Sequence, residues 1–148
     1  MLSGGGGRRE REEVEMAQSL RSVGAVTLFV ADPQRSKEFY AQVFEVGVAF
    51  EDADSVALRF DNLILNLLRR GAPTSELLGP LPEAAAGTGA SFELTIWVDD
   101  ADAVCDLIVG RGATIASGPV DRPWGMRTAA FCDPDGHVWE VAAAIPAP

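Results

Sequence analysis

Past residue 22 the chain changes from dense mixed charge to short apolar runs with a readable period. VGAVTLFVA (23–31) is apolar enough for a buried strand and too short for an ordinary helix. It leads into DPQRSKEFYAQVF, where Asp32 is placed to cap a helix and Pro33 suits its first turn. Phe39/Val43 and Tyr40/Phe44 stand at the i, i+4 spacing of one helical face. VGVAF, SVALRF and LILNLLR follow, short and apolar, with the turn formers Asp and Asn between them, as in a β-meander. The first half reads βαβββ.

Residues 69–90 hold three prolines and four glycines and predict a connection with one short helix at most. The order then repeats. FELTIWV predicts a strand. DDADAVCDLIVGRG predicts a helix capped by Asp99 or Asp100, with Val104, Leu107 and Ile108 on its buried face and glycines at its end. Strands around ATIAS, MRTAAFC and HVWEVAA complete a second βαβββ. AVTLFVAD (25–32) matches ELTIWVDD (93–100) position for position, and LILNLL (63–68) matches HVWEVA (137–142). Ala25 therefore corresponds to Glu93, and Asn66 to Glu140.

Side chains alternate across a strand, so Ala25, Thr27 and Phe29 share one face, as do Glu93, Thr95 and Trp97. The opposite faces, Val26/Leu28/Val30 and Leu94/Ile96/Val98, are aliphatic and suit a covering helix. That leaves the mixed polar and aromatic faces to line a concavity. Val138 and Glu140 share a face, with His137 and Trp139 opposite. This predicts Trp139 as helix-facing core and His137 as an ordinary turn or surface histidine.

At 148 residues the chain suits one domain, expected over 23–148, with modules at about 23–68 and 91–145 joined by 69–90. The glycine run and mixed charge of 1–22 predict a disordered or partly helical extension. The net charge of −10 belongs to the folded part, because 1–22 holds four arginines and four glutamates that cancel. Such a surface repels nucleic acid and favours cationic ligands. No apolar run reaches about 18 residues and no hydrophobic segment follows Met1, so neither a membrane span nor a secretory signal is expected, and the expected location is the cytoplasm. Cys105 and Cys132 lie in apolar segments and are expected as buried, reduced thiols.

The duplicated module, with VADPQRSKEFYAQVF after the first strand, WVDDADAV after the middle one and FCDPDGHVWEV at the end, resembles the vicinal oxygen chelate superfamily of glyoxalases, bleomycin-resistance proteins and extradiol dioxygenases. The resemblance covers about residues 23–145. It implies an α+β fold in which each βαβββ module curls into half a barrel, with metal ligands on the first and last strands of each module. Carried over by position, those ligand sites are Ala25, Asn66, Glu93 and Glu140. Alanine cannot bind a metal, and none of the four is a histidine. An extradiol dioxygenase, which wants two histidines and a carboxylate, is therefore not expected.

Glu93 and Glu140 can still hold Mg²⁺ or Mn²⁺, share a proton as an acid/base pair, or simply attract a cation into a pocket. The last is preferred, with no cofactor. The PWG of 123–125 adds to this, since bleomycin-resistance proteins carry a similar tripeptide and a tryptophan ahead of the middle helix, where Trp97 stands here. The resemblance implies sequestration of a flat cationic antibiotic, without chemical change, in pockets formed between two subunits of a homodimer. Trp97 and Trp124 are the expected walls, with Phe29, Asn66, Glu93, Thr95, Arg127 and Glu140 as further contacts. The competing expectation is a metal-dependent lyase or isomerase of the glyoxalase type with Glu93 and Glu140 as ligands.

Overall fold

The computed structural model describes residues 6–17, 20–71, 89–90 and 92–147. The expected short helix of the connection therefore lies outside the described residues. Helix α1 (Gly6–Ala17) precedes the first module, in which β1 (Ala25–Val30), α2 (Pro33–Phe44), β2 (Gly47–Glu51), β3 (Ser55–Arg59) and β4 (Ile64–Arg69) follow in order. The second module consists of β5 (Glu93–Trp97), α3 (Ala101–Gly110), β6 (Ile115–Asp121), β7 (Met126–Cys132) and β8 (Val138–Ala144). The fold is α+β, with two four-stranded sheets ordered β1-β4-β3-β2 and β5-β8-β7-β6, each open at both edges. Among the described residues no helix is long and apolar enough to cross a membrane.

The internal repeat holds to the residue. Parallel β1 and β4 pair Thr27 with Asn66, and parallel β5 and β8 pair Thr95 with Glu140, the positions that the sequence match makes equivalent. Both helices start as the sequence predicts. Asp32 accepts the N–H of Gln34 at 3.0 Å, with Pro33 in the first turn. Of the two candidates in the second module, Asp100 is the cap and accepts from Ala103.

The buried stripe of α3 runs through Ala101, Cys105 and Ile108, whereas Leu107 is half exposed. Leu107 was expected on that stripe with Val104 and Ile108. Cys105, one turn before Ile108, rotates the stripe away from it.

Leu28, Val30, Leu65 and Leu67 line the helix side of the first sheet, and Phe131, Trp139 and Val141 that of the second. All belong to one hydrophobic cluster that crosses the module boundary. Trp139 is its centre: its ring lies 4.7 Å from Phe44, 5.9 Å from Tyr40 and 5.9 Å from Phe60, all three from the first module.

The D-P-D-G turn between β7 and β8 is the polar counterpart of this contact. Asp135 reaches into the β1–α2 corner, where Oδ1 accepts the backbone N–H of Ala31 at 2.8 Å and Oδ2 the hydroxyl of Ser36 at 3.1 Å. Arg35 and Arg70 flank the same carboxylate. Asp133 Oδ1 accepts the N–H groups of Asp135 and His137, while Oδ2 accepts the Tyr40 hydroxyl at 2.7 Å and lies 2.8 Å from His137 Nδ1. Trp139 Nε1 in turn donates to the Tyr40 oxygen. His137 is thus a turn histidine tied to Asp133.

The tie is one-sided. The equivalent turn of the first module, between Arg59 and Ile64, is one residue shorter than that between Cys132 and Val138. Its Asp61 has no hydrogen-bond partner among the described residues. By the same sequence match, Ser36 and Tyr40 are replaced in α3 by Val104 and Ile108.

Candidate functional site

With Leu28 and Val30 turned to the helix, Thr27 and Phe29 face the opposite side of the first sheet, the concave one in the half-barrel that the resemblance implies. Cross-strand pairing extends that face into a row, Thr27–Asn66–Ala57–Phe50, and a second row runs Ala25–Ile64–Arg59. In the second sheet the matching rows are Thr95–Glu140–Ala130–Ser117 and Glu93–Val138–Cys132, with Trp97–Ala142–Thr128–Val120 beyond them. Each module therefore carries a threonine beside a polar group on its last strand, followed by an alanine that leaves the floor low.

The polar pairs are hydrogen-bonded in both modules. Asn66 Nδ2 donates to Thr27 Oγ1 at 3.4 Å, and Thr95 Oγ1 donates to a Glu140 carboxylate oxygen at 3.2 Å. Glu140 is half-buried and Glu93, its diagonal neighbour on β5, is exposed. Neither glutamate has a cationic partner among the described residues. Trp97 stands at the end of β5, paired with the small Ala142, and is 75% exposed.

Trp124 sits at the tip of the β6–β7 loop and is 68% exposed. The loop is pinned by Arg122 N–H to Met126 O at 2.7 Å and by Ile145 N–H to Gly125 O at 2.9 Å. Gly125 turns at φ 84°, a left-handed conformation that favours glycine. Arg122 Nε donates to Thr128 Oγ1, on the face of Glu140, and so moors the loop to the concave side.

The structure thus groups Phe29 with Asn66 on one face, and Glu93, Thr95, Trp97 and Glu140 on the other, with Trp124 at the margin of the second. Arg127 is placed elsewhere. It shares the helix-facing side of β7 with Ala129 and Phe131, and its guanidinium is held by Asp102 of α3 and by Asp121, each at 3.0 Å.

Three concave-face residues escape the sequence reading. Phe50, 58% exposed, stands beside Ala57 because a bulge between Val48 and Phe50 shifts the register, which simple alternation does not show. Arg59 is exposed on the face of Asn66. Cys132, expected as buried, is exposed: with Phe131 turned to the core, the next residue must face outward.

Cys105 is buried, and burial, followed by the charges of Asp102 and Asp106, pushes its thiol above the ordinary value. Maleimide at neutral pH is therefore expected to label Cys132 alone in the folded protein and both cysteines in urea, as read by intact mass. Labelling of Cys105 at an equal rate would contradict this packing.

At the four positions where the resemblance places metal ligands, Ala25 offers no donor, Asn66 offers a neutral amide already bonded to Thr27, and two carboxylates remain. Among the described residues no three His, Cys, Asp or Glu side chains come together in a group able to hold a metal. This donor set does not fit the family's metal centre.

Comparison with known proteins agrees with the fold. A crystal structure of a glyoxalase/bleomycin resistance protein/dioxygenase from Nocardioides superimposes with a TM-score of 0.76 at 20% identity, covering 97% of this chain and 96% of that one. TioX from Micromonospora sp. ML1 gives 0.64 at 26% identity over 84% and 99% of the two chains. Lactoylglutathione lyase from Agrobacterium tumefaciens gives 0.67 at 17% identity over 84% and 95%. Uncharacterised proteins of Mycobacterium bovis and Mycobacterium tuberculosis are 33% identical over 64 residues, 43% of this chain, and the chain spans only 41% and 36% of their lengths. The family model described as the Glyoxalase/Bleomycin resistance protein/Dioxygenase superfamily matches residues 22–141. The chain belongs to that superfamily.

Proposed function

We propose that the chain binds a flat organic cation, with an antibiotic as the sharpest case, and holds it without chemical change. In this reading it works as a homodimer, in which a second copy brings the first module's concave face opposite the second module's and closes the cleft between them. The observation that carries the proposal is the face of Glu140. Two carboxylates without cationic partners among the described residues share this face with a tryptophan that is 75% exposed, over alanines that leave room for a planar group. An indole face attracts a planar cation and is worth roughly 0.5–2 kcal/mol per ring. The carboxylates complement the charge, and no proton transfer or metal is needed.

A fluorescence-anisotropy titration with the ethyl ester of rhodamine B, a flat cation, tests the proposal. Saturable binding is expected, weakened about threefold to thirtyfold by either Trp124→Ala or Glu140→Ala while thermal unfolding is unchanged. Unchanged affinity in both variants would remove the proposed site. The rival metal-dependent lyase or isomerase makes the opposite prediction for chelator-treated protein. At a hundredfold excess over its dissociation constant, a metal at a native site raises the unfolding temperature by roughly 5–10 °C. Such a rise with Mg²⁺, Mn²⁺, Ni²⁺, Fe²⁺ or Zn²⁺, abolished by Glu140→Gln, would replace sequestration with metal chemistry.

A further inference from the structure

The chain carries 22 acidic residues against 12 basic ones, so an arginine without an acidic neighbour is unexpected. Eight basic residues lie between β1 and β8. Six of them approach a carboxylate within 3.7 Å, and Arg122 donates to a hydroxyl. The side chain of Arg59 alone of the eight has no hydrogen-bond or ion-pair partner among the described residues.

Its position is as informative as its isolation. Val56 and Leu58 are fully buried on the helix side of β3, so Arg59 extends from the concave face. There it pairs with Ile64 of β4, one step along that face from Asn66. It therefore stands at the first module's contribution to the cleft, as Glu93 and Glu140 stand at the second's.

We infer that the ligand carries a carboxylate in addition to its cationic group, and that Arg59 binds that carboxylate. The inference rests on the proposed cleft and refines the class of molecule it takes. A guanidinium matches a carboxylate with two parallel N–H···O bonds, a geometry that a lysine does not offer. One arginine balances one negative charge. A phosphate, with close to two charges, is disfavoured because Glu93 and Glu140 line the same cleft. Two carboxylates and one guanidinium give the cleft charges of both signs, which suits a ligand that carries both, its positive end toward Glu140 and its negative end toward Arg59.

The matched probes are rhodamine B, a flat cation with a pendant carboxylate, and its ethyl ester, in which that carboxylate is masked. Both are titrated by anisotropy against the full chain and against Arg59→Gln and Glu140→Gln, with thermal unfolding as the folding control. Arg59→Gln is expected to weaken rhodamine B about five- to tenfold and to leave the ester within about twofold, the scale of one charge-assisted pair in a half-open cleft. Glu140→Gln should weaken both. An equal effect of Arg59→Gln on the two dyes, no effect on either, or tighter binding of the ester would overturn the role of Arg59, while the Glu140→Gln result leaves the cation site standing. A chain that binds neither dye overturns the cleft and the inference with it.

Discussion

Asp133→Ala is expected to destabilise the protein by about 3–5 kcal/mol, the usual consequence of removing one member of a buried, charge-assisted network. The carboxylate is fully enclosed and its two oxygens serve two backbone N–H groups, the Tyr40 hydroxyl and the His137 ring. Alanine leaves those donors without their acceptor. Urea unfolding is the measurement, and a midpoint within experimental error of the wild type would mean that the network is not closed.

The same group gives the stability a pH dependence of definite sign. Burial alone would raise the carboxyl pKa, but the hydrogen bonds from His137 and Tyr40, together with the His137 charge, more than offset it and hold Asp133 below its ordinary 3.8. The folded value is depressed, so this stabilisation is complete above the unfolded value and is lost as the pH falls through the folded one. The gap between wild type and Asp133→Ala should therefore narrow as the pH falls below about 4. Tyr40 is pushed strongly upward by burial and then by Asp133, so its phenol stays protonated and keeps donating across this range.

Trp139→Ala is expected to cost about 3–5 kcal/mol, for a different reason. The indole is only 4% exposed and three rings of the other module rest on it, so its removal opens a void at the boundary where the halves meet. It also takes the indole N–H from the Tyr40 oxygen. Because Asp133 and Trp139 both act on Tyr40, the double variant should lose less than the sum of the two single losses, by about 0.5–3 kcal/mol. Additive losses in urea unfolding would show that packing and polar network are independent. Trp139→Phe, which keeps most of the ring, should lose clearly less than alanine.

The elements and the internal repeat were legible because their signals are local. A period of two marks strands, i, i+4 pairs and acidic caps mark both helices, and the matches of 25–32 to 93–100 and of 63–68 to 137–142 already align Thr27 with Thr95 and Asn66 with Glu140. Alternation was also enough to place Trp139 inside and Glu140 on the opposite face. At MRTAAFC alternation gives the faces only once one residue is known to be buried: with Phe131 inside, Arg127 falls on the helix side and Cys132 outside. Phe50 was hidden for a stronger reason, since a bulge breaks the period itself. The D-P-D-G turn was visible as a motif, but its partners Ala31, Ser36 and Tyr40 lie 93 to 104 residues away, and no local pattern encodes such a contact.

That turn also says something about descent. Two halves that arose by copying start out interchangeable, and any pairing between them begins symmetric. Here one half has kept a socket, made of Ser36, Tyr40 and the N–H of Ala31, and the other a plug, made of Asp133 and Asp135. A tandem of two first halves would hold two sockets and nothing to fill them, and a tandem of two second halves would bring two plugs, four carboxylates in all, against valine and isoleucine. In this chain the two copies are complementary and no longer interchangeable: each half supplies what the other lacks.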